Sequence, residues 1–172
     1  MRLIGLAAAA LVAAAACSAP AAAPSVRPAP SPPPEAEAMP APIEDAETWL
    51  VARGFRCEPL GVEVGVAVRC VADDRELNDT YAVVDVLADD GGLITLVQAT
   101  VDVGGAARPD LAGFLGFYAS TVLGIVADPA PRAADAWLRG HVASPGSTVV
   151  GRLVLEMTVE PTRSSLRVWQ RR

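Results

Sequence analysis

Tyr81-Ala-Val-Val-Asp-Val-Leu-Ala88, Asp89-Asp-Gly-Gly92 and Leu93-Ile-Thr-Leu-Val-Gln-Ala-Thr-Val-Asp-Val103 form the stretch that decides the fold. Two runs rich in β-branched residues flank a cluster of aspartates and glycines, which is the sequence pattern of a β-hairpin. Asp90-Gly91 suits a two-residue type I′ turn, since both central positions there need positive φ. That turn sets Ala88 opposite Leu93, Val86 opposite Thr95 and Val84 opposite Val97, so one face is almost wholly apolar. The other face carries Tyr81, Val83, Asp85 and Leu87 opposite Thr100, Gln98, Leu96 and Ile94. This mixed face is expected to be partly exposed.

Working outward from the hairpin, Val62, Val64, Val66, Val68 and Cys70 alternate with Glu63, Gly65, Ala67, Arg69 and Val71. They predict a strand, with Phe55 and Cys57 on a short partner. Counting from a turn near Glu63 and Val64 brings Cys57 opposite Cys70. In an oxidising compartment the two form a disulfide, and two buried free thiols are the alternative. Ahead of these strands, Ile43, Ala46, Trp49 and Leu50 share one face of a helix spanning 43 to 53. Acidic residues fill its first turn and Gly54 closes it.

Downstream, Pro109 opens a long helix whose apolar stripe is Leu111, Phe114, Leu115, Tyr118, Val122 and Ile125. A second short helix follows Asp128 and Pro129, with Ala134, Trp137 and Leu138 inward and Gly140 at its end. Two final strands, Thr148 to Val159 and Ser165 to Gln170, turn at Pro161-Thr162, with Met157 and Val159 facing Val168 and Leu166. Consecutive strands with short connections predict an α+β fold: an antiparallel sheet of five to six strands, with two to three helices packed on one face.

The N-terminus differs in kind. Met1-Arg2 precedes an apolar run, Leu3 to Ala16, which is too short to span a bilayer. Small residues Ala14-Ala15-Ala16 lead directly to Cys17. This resembles the lipobox signal of bacterial lipoproteins, with Ala14 where leucine is commoner. The resemblance covers residues 1–17 alone and implies a signal peptide at 1–16, acylation of Cys17 with diacylglyceryl and palmitate chains, and membrane anchoring in the cell envelope. An ordinary secretory signal cut after Ala23 is the alternative, giving a secreted protein without Cys17. Residues 18–42 hold nine prolines among alanines and serines. Together with Cys17 they read as a disordered tether of polyproline II character, 17–42, followed by a single domain, 43–172.

Composition narrows the function. The net charge is −6, or −7 once Arg2 is removed with the signal peptide, and every basic residue is arginine. An acidic chain is a poor nucleic-acid binder, and the absence of lysine excludes Schiff-base and Ser-Lys chemistry. No GxSxG, HExxH, phosphate loop or CxxC occurs, and no cofactor is expected.

Four sets of residues remain. His141, the one histidine, could act as a base beside Ser144 or Ser147, with Asp135 orienting it; a structural histidine in a loop is the plainer reading. Asp73, Asp74, Glu76 and Asp79, with Asp102 across the sheet, could gather around Ca²⁺, although the spacing matches no EF-hand and a solvated acidic loop serves as well. Asp85, in mid-strand, pairs with an arginine such as Arg69 or faces solvent. Arg152, Arg163, Arg167, Arg171 and Arg172, with Trp169, could meet anionic lipid headgroups, an envelope polymer or an acidic envelope protein, or could answer the chain's own acidic half. The expected function is a non-catalytic binding or accessory module at the cell envelope. The alternatives are a hydrolase using His141, and a structural or inhibitory protein docking through an exposed sheet face.

Overall fold

The computed structural model describes residues 28–62, 65–74, 80–102, 111–126 and 131–172. It is a mixed α+β domain built on one antiparallel sheet of eight strands. The elements in chain order are β1 (Ala36–Glu37), α1 (Ile43–Val51), β2 (Arg56–Leu60), β3 (Val66–Asp74), β4 (Thr80–Ala88) and β5 (Ile94–Asp102). There follow α2 (Leu111–Phe117), a π-helical turn (Tyr118–Val122), α3 (Leu123–Val126), α4 (Arg132–His141), β6 (Gly146–Val150), β7 (Leu153–Glu160) and β8 (Arg163–Arg171). The strand order is β2-β3-β4-β5-β8-β7-β6, with β1 paired to β8.

The strand count exceeds the expected five to six for two reasons. The run Thr148 to Val159, expected as one strand, folds back on itself at Gly151, whose φ of 63° turns the chain between β6 and β7. A two-residue strand, β1, comes from the proline-rich segment that was expected to be a tether.

Alternate residues of the strands enter two separate clusters. In the larger one, Val68, Cys70, Val84, Val86, Val97, Ala99, Leu155, Met157, Leu166 and Val168 meet Ile43, Ala46 and Leu50 of α1. Phe114, Tyr118, Val122, Leu123, Ala134 and Leu138 belong to the same cluster. The smaller cluster is Ala67, Leu87, Leu96, Val154 and Trp169, with Ala36, Leu60 and Val62 packed against it. Both sides of the sheet are therefore apolar in part, and strand positions facing the smaller cluster make up what we call the second face.

The central hairpin forms, but in a different register. Val86 pairs with Val97, Asp85 with Gln98 and Val84 with Ala99, two residues beyond the expected pairing. The connection is longer than a type I′ turn. Gly92 N–H donates to the Asp89 carbonyl at 3.0 Å, Asp89 N–H donates to the Leu93 carbonyl at 2.9 Å, and Gly92 takes φ 76°. This is a β-turn closed by a left-handed glycine, with a bulge between Leu87 and Ala88. The Asp89 carboxylate secures it by accepting from the N–H groups of Gly91 (2.9 Å) and Leu93 (3.0 Å). A shift of two preserves which face each side chain takes, so the burial pattern survives the change. The terminal hairpin shifts likewise. Met157 pairs with Leu166 and Val159 with Ser164, because Glu160 and Arg163 close directly around Pro161-Thr162.

The helices follow their apolar spacing with one departure. Gly54, at φ 86°, ends α1, and the Phe55 N–H donates back to the Leu50 carbonyl at 3.2 Å. In the long helix, the Leu123 N–H donates to the Tyr118 carbonyl, five residues back. The extra residue in that turn rotates the following face. Leu123 thus becomes fully buried where the 3.6-residue period puts Ile125, which is only partly buried.

Candidate functional site

Cys57 and Cys70 sit opposite one another on β2 and β3, as their count from the turn gives, and they form a disulfide rather than two free thiols. The bond ties the edge strand β2 to its neighbour β3 beneath α1.

His141 lies in the last turn of α4. Its Nδ1 is 2.9 Å from the Trp137 carbonyl oxygen, which can only accept, so the Nδ1–H donates there. The ring stacks on Trp137 at 4.5 Å, and its other side closes on Gly146, where a Cβ would stand 2.9 Å from His141 Cδ2. Asp135 does not orient this ring. Its carboxylate takes Arg139 in a bidentate pair, at 2.9 Å for the shortest contact. Ser144 and Ser147 are exposed. The structure thus places His141 as a packed residue that locks the end of α4 against β6.

The carboxylates considered for Ca²⁺ are partly outside the described residues. Glu76 and Asp79 fall there, and Asp73 and Asp74 are described only as the last two backbone positions of β3. Asp102 pairs with Tyr81 in the ladder, not with Asp79, and its carboxylate takes Arg163 Nε at 2.5 Å. Among the described residues no group of three or more His, Cys, Asp or Glu side chains is placed to hold a metal ion. Below Asp102, the Tyr118 hydroxyl is fully buried with no hydrogen-bond partner among the described residues. Burial first, and then the Asp102 charge, push its ionisation well above the ordinary range of a phenol.

The most organised polar feature lies on the second face. Register places Glu58, Arg69, Asp85, Gln98, Arg167, Glu156 and Ser147 in a single row across seven strands. Asp85 is 1% exposed, so its charge depends on a partner in place. Arg69 supplies it through Nε at 2.6 Å and Nη2 at 3.0 Å, a fork matched to the carboxylate. Arg167 reaches Glu156 at 3.3 Å. Directly beside the row runs the apolar band of Ala67, Leu87, Leu96, Trp169 and Val154.

This face is covered by the chain's own proline-rich segment, residues 28–37. The Pro28 carbonyl accepts from Arg69 Nη2 at 3.4 Å, and the Ser31 carbonyl accepts from Arg167 Nη2 at 2.8 Å. Ala36 and Glu37 pair with Arg171 and Gln170, and Glu37 ion-pairs with Arg152. Met39 then turns into the larger core and is fully buried, and its N–H donates to the Ile94 carbonyl at 2.7 Å. The folded region therefore begins well before residue 43. We call residues 28–37 the strap.

The strap leaves two buried donors unanswered. Trp169 Nε1 and Arg167 Nε are both enclosed, and neither has a hydrogen-bond partner among the described residues. They are neighbours on β8, with the guanidinium 5.7 Å from the indole ring centre. Of the positions considered as an outward-facing patch, Arg163 answers Asp102, whereas Arg152, Arg167, Arg171, Arg172 and Trp169 lie at the strap. Sequence reading singled out Arg152, Arg167 and Trp169, and the structure brings all three under or beside it. It missed Arg69 as a strap contact and missed the strap itself, whose composition carries no signal for docking.

No helix among the described residues is long and apolar enough to cross a membrane. No protein-family model, no curated protein and no solved structure matches the chain.

Proposed function

We propose that the chain is a lipid-anchored extracytoplasmic protein whose domain serves as a non-catalytic binding or accessory module at the cell envelope. A signal peptide, 1–16, directs export, and acylation of Cys17 holds the mature chain to a membrane. We read the helices as gathered on one side of the sheet and the second face, where the strap lies, as the recognition surface. The observation that carries the binding reading is the hold on the strap: arginine side chains grip an extended peptide through its main-chain carbonyls. That is how a module holds a chain whose side chains it does not read. The Cys57–Cys70 disulfide supports export, since such bonds persist in oxidising compartments. The partner is an envelope protein or polymer, not nucleic acid, in keeping with the acidic balance.

The mass of the mature N-terminus, purified from native membranes, tests the anchor. A thioether-linked diacylglyceryl group on Cys17 is the expected result. A chain beginning at Pro24 overturns it and leaves a secreted protein.

A further inference from the structure

The strap is held in an unusual balance. Its ends are fixed: β1 pairs with β8 and Glu37 with Arg152 at one end, and Pro28 meets Arg69 at the other. Between them most of residues 30–35 are exposed; the Ser31 carbonyl accepts from Arg167 at 2.8 Å, and the Glu35 carbonyl accepts from the Arg172 N–H at 3.4 Å. Beneath lie the Arg167 and Trp169 donors with no acceptor among the described residues. A buried N–H is rarely left unpaired, and such a group marks a place where another acceptor fits.

We propose that the second face is a binding groove for a proline-rich extended peptide supplied in trans, and that the strap is its resident competitor. The strap shows the chemistry of the occupant. It is a segment of Pro-Ala-Pro-Ser-Pro-Pro-Pro, residues 28–34, ending in an acidic stretch. Prolines hold such a chain extended before it binds, and a polyproline II segment makes no regular internal hydrogen bonds, which leaves main-chain carbonyls such as those of Pro28 and Ser31 to accept from arginine. Arg69 and Arg167 are spaced across the sheet to take two carbonyls of one chain, with Arg152 beyond them for the acidic residue that follows. Trp169 supplies the aromatic wall common in grooves that read polyproline II helices. An incoming peptide whose carbonyl reaches Trp169 Nε1 or Arg167 Nε gains a contact that the strap does not make. The strap holds its advantage by being tethered, at a high effective concentration. This inference rests on the reading of the domain as a binding module and is independent of the anchor.

The test uses the full chain in detergent and a fluorescein-labelled peptide of the strap sequence, residues 27–38, followed by anisotropy. In one variant Pro30, Pro32, Pro33 and Pro34 are changed to serine to loosen the strap. This variant should bind the peptide at least tenfold more tightly than the unaltered chain. Adding Arg167→Ala to it should remove most of that gain, and Arg167→Lys, which keeps the charge and loses the fork, should remove part. Exchange of the Trp169 indole N–H reports on the same site: it should quicken in the loosened variant and slow again with peptide. Equal binding by the loosened and unaltered chains overturns the proposal. So does equal binding of a peptide with serine in place of every proline, because charge alone then accounts for the attraction. Failure of the Cys17 assay leaves this result untouched, whereas loss of peptide binding leaves the anchor untouched.

Discussion

Arg69 and Asp85 stand directly opposite on β3 and β4, and the guanidinium closes on the carboxylate with two hydrogen bonds, at 2.6 and 3.0 Å. The pair lies midway along two inner strands of the sheet, and the aspartate is almost wholly enclosed. Asp85→Ala takes the carboxylate away from a partly buried guanidinium and should cost about 3 kcal/mol in urea unfolding. A joint Arg69→Met, Asp85→Leu change removes both charges and should recover most of that loss. If the single change is tolerated as well as the double, the pair is not what holds these strands in register.

Tyr118 gives the clearest pH signature. Its hydroxyl has no partner among the described residues, and burial with the nearby Asp102 charge raises its ionisation above the usual value near 10. In the unfolded chain the phenol loses its proton as pH passes about 10, while the folded chain retains it. The folded state then binds more protons, so stability is fully present below pH 10 and falls above it, by up to about 1.4 kcal/mol per pH unit. Tyr118→Phe should flatten that fall and leave neutral-pH stability within about 1 kcal/mol of the parent, since no hydrogen bond is lost. Denaturation midpoints between pH 8 and 11.5 for the two proteins decide the matter.

Reduction, or Cys57→Ser with Cys70→Ser, opens a link between residues 13 apart in sequence. Chain-entropy arguments put the loss at about 3 kcal/mol, seen as a lower thermal midpoint with little change in the circular dichroism of the folded state. An unchanged midpoint on adding reductant would contradict the bond.

Two glycines with similar backbone angles should respond differently to alanine. Gly65 has φ 78°, its N–H donates to the Asp90 carboxylate at 3.1 Å, and an added Cβ would stand 2.2 Å from the Ala88 carbonyl oxygen. Gly151 has φ 63°, and a Cβ there meets nothing within 4 Å. Gly151→Ala therefore costs only the left-handed conformation, about 1 kcal/mol, whereas Gly65→Ala must also displace main chain and should cost more than about 2 kcal/mol. Equal losses in the two variants, measured by urea denaturation, would show that the main chain at Ala88 yields to the added methyl at little cost.

Much of the fold was legible because period-two alternation survives small errors. The central hairpin was placed by its β-branched runs, but its register was read from Asp90-Gly91 alone. The turn extends over Asp89 to Gly92, and the Asp89 carboxylate fixes the longer form by bonding to Gly91 and Leu93. The cysteine pairing was legible because both residues lie on one face of adjacent strands. Gly151 was hidden inside an apolar run that reads equally as one strand or two. The π-turn at Tyr118 was invisible to a 3.6-residue period, which therefore chose Ile125 over Leu123. The site was harder still. Arg69 with Asp85 was foreseeable from opposed charges in mid-strand. The strap was not, because main-chain carbonyls bonded to arginine leave no trace in composition, and a proline-rich stretch reads as a spacer whether or not something holds it.

The strap also governs distance. If Cys17 is the membrane attachment, a docked strap leaves only the eleven residues up to Pro28 to span the gap, roughly 34 Å at full polyproline extension. Released as far as Ala38, just short of the buried Met39, the same chain offers twenty-one residues and roughly 65 Å. A ligand that displaces the strap would therefore do more than fill a groove. It would pay out line, letting the domain rise from the bilayer and search a much larger volume above it.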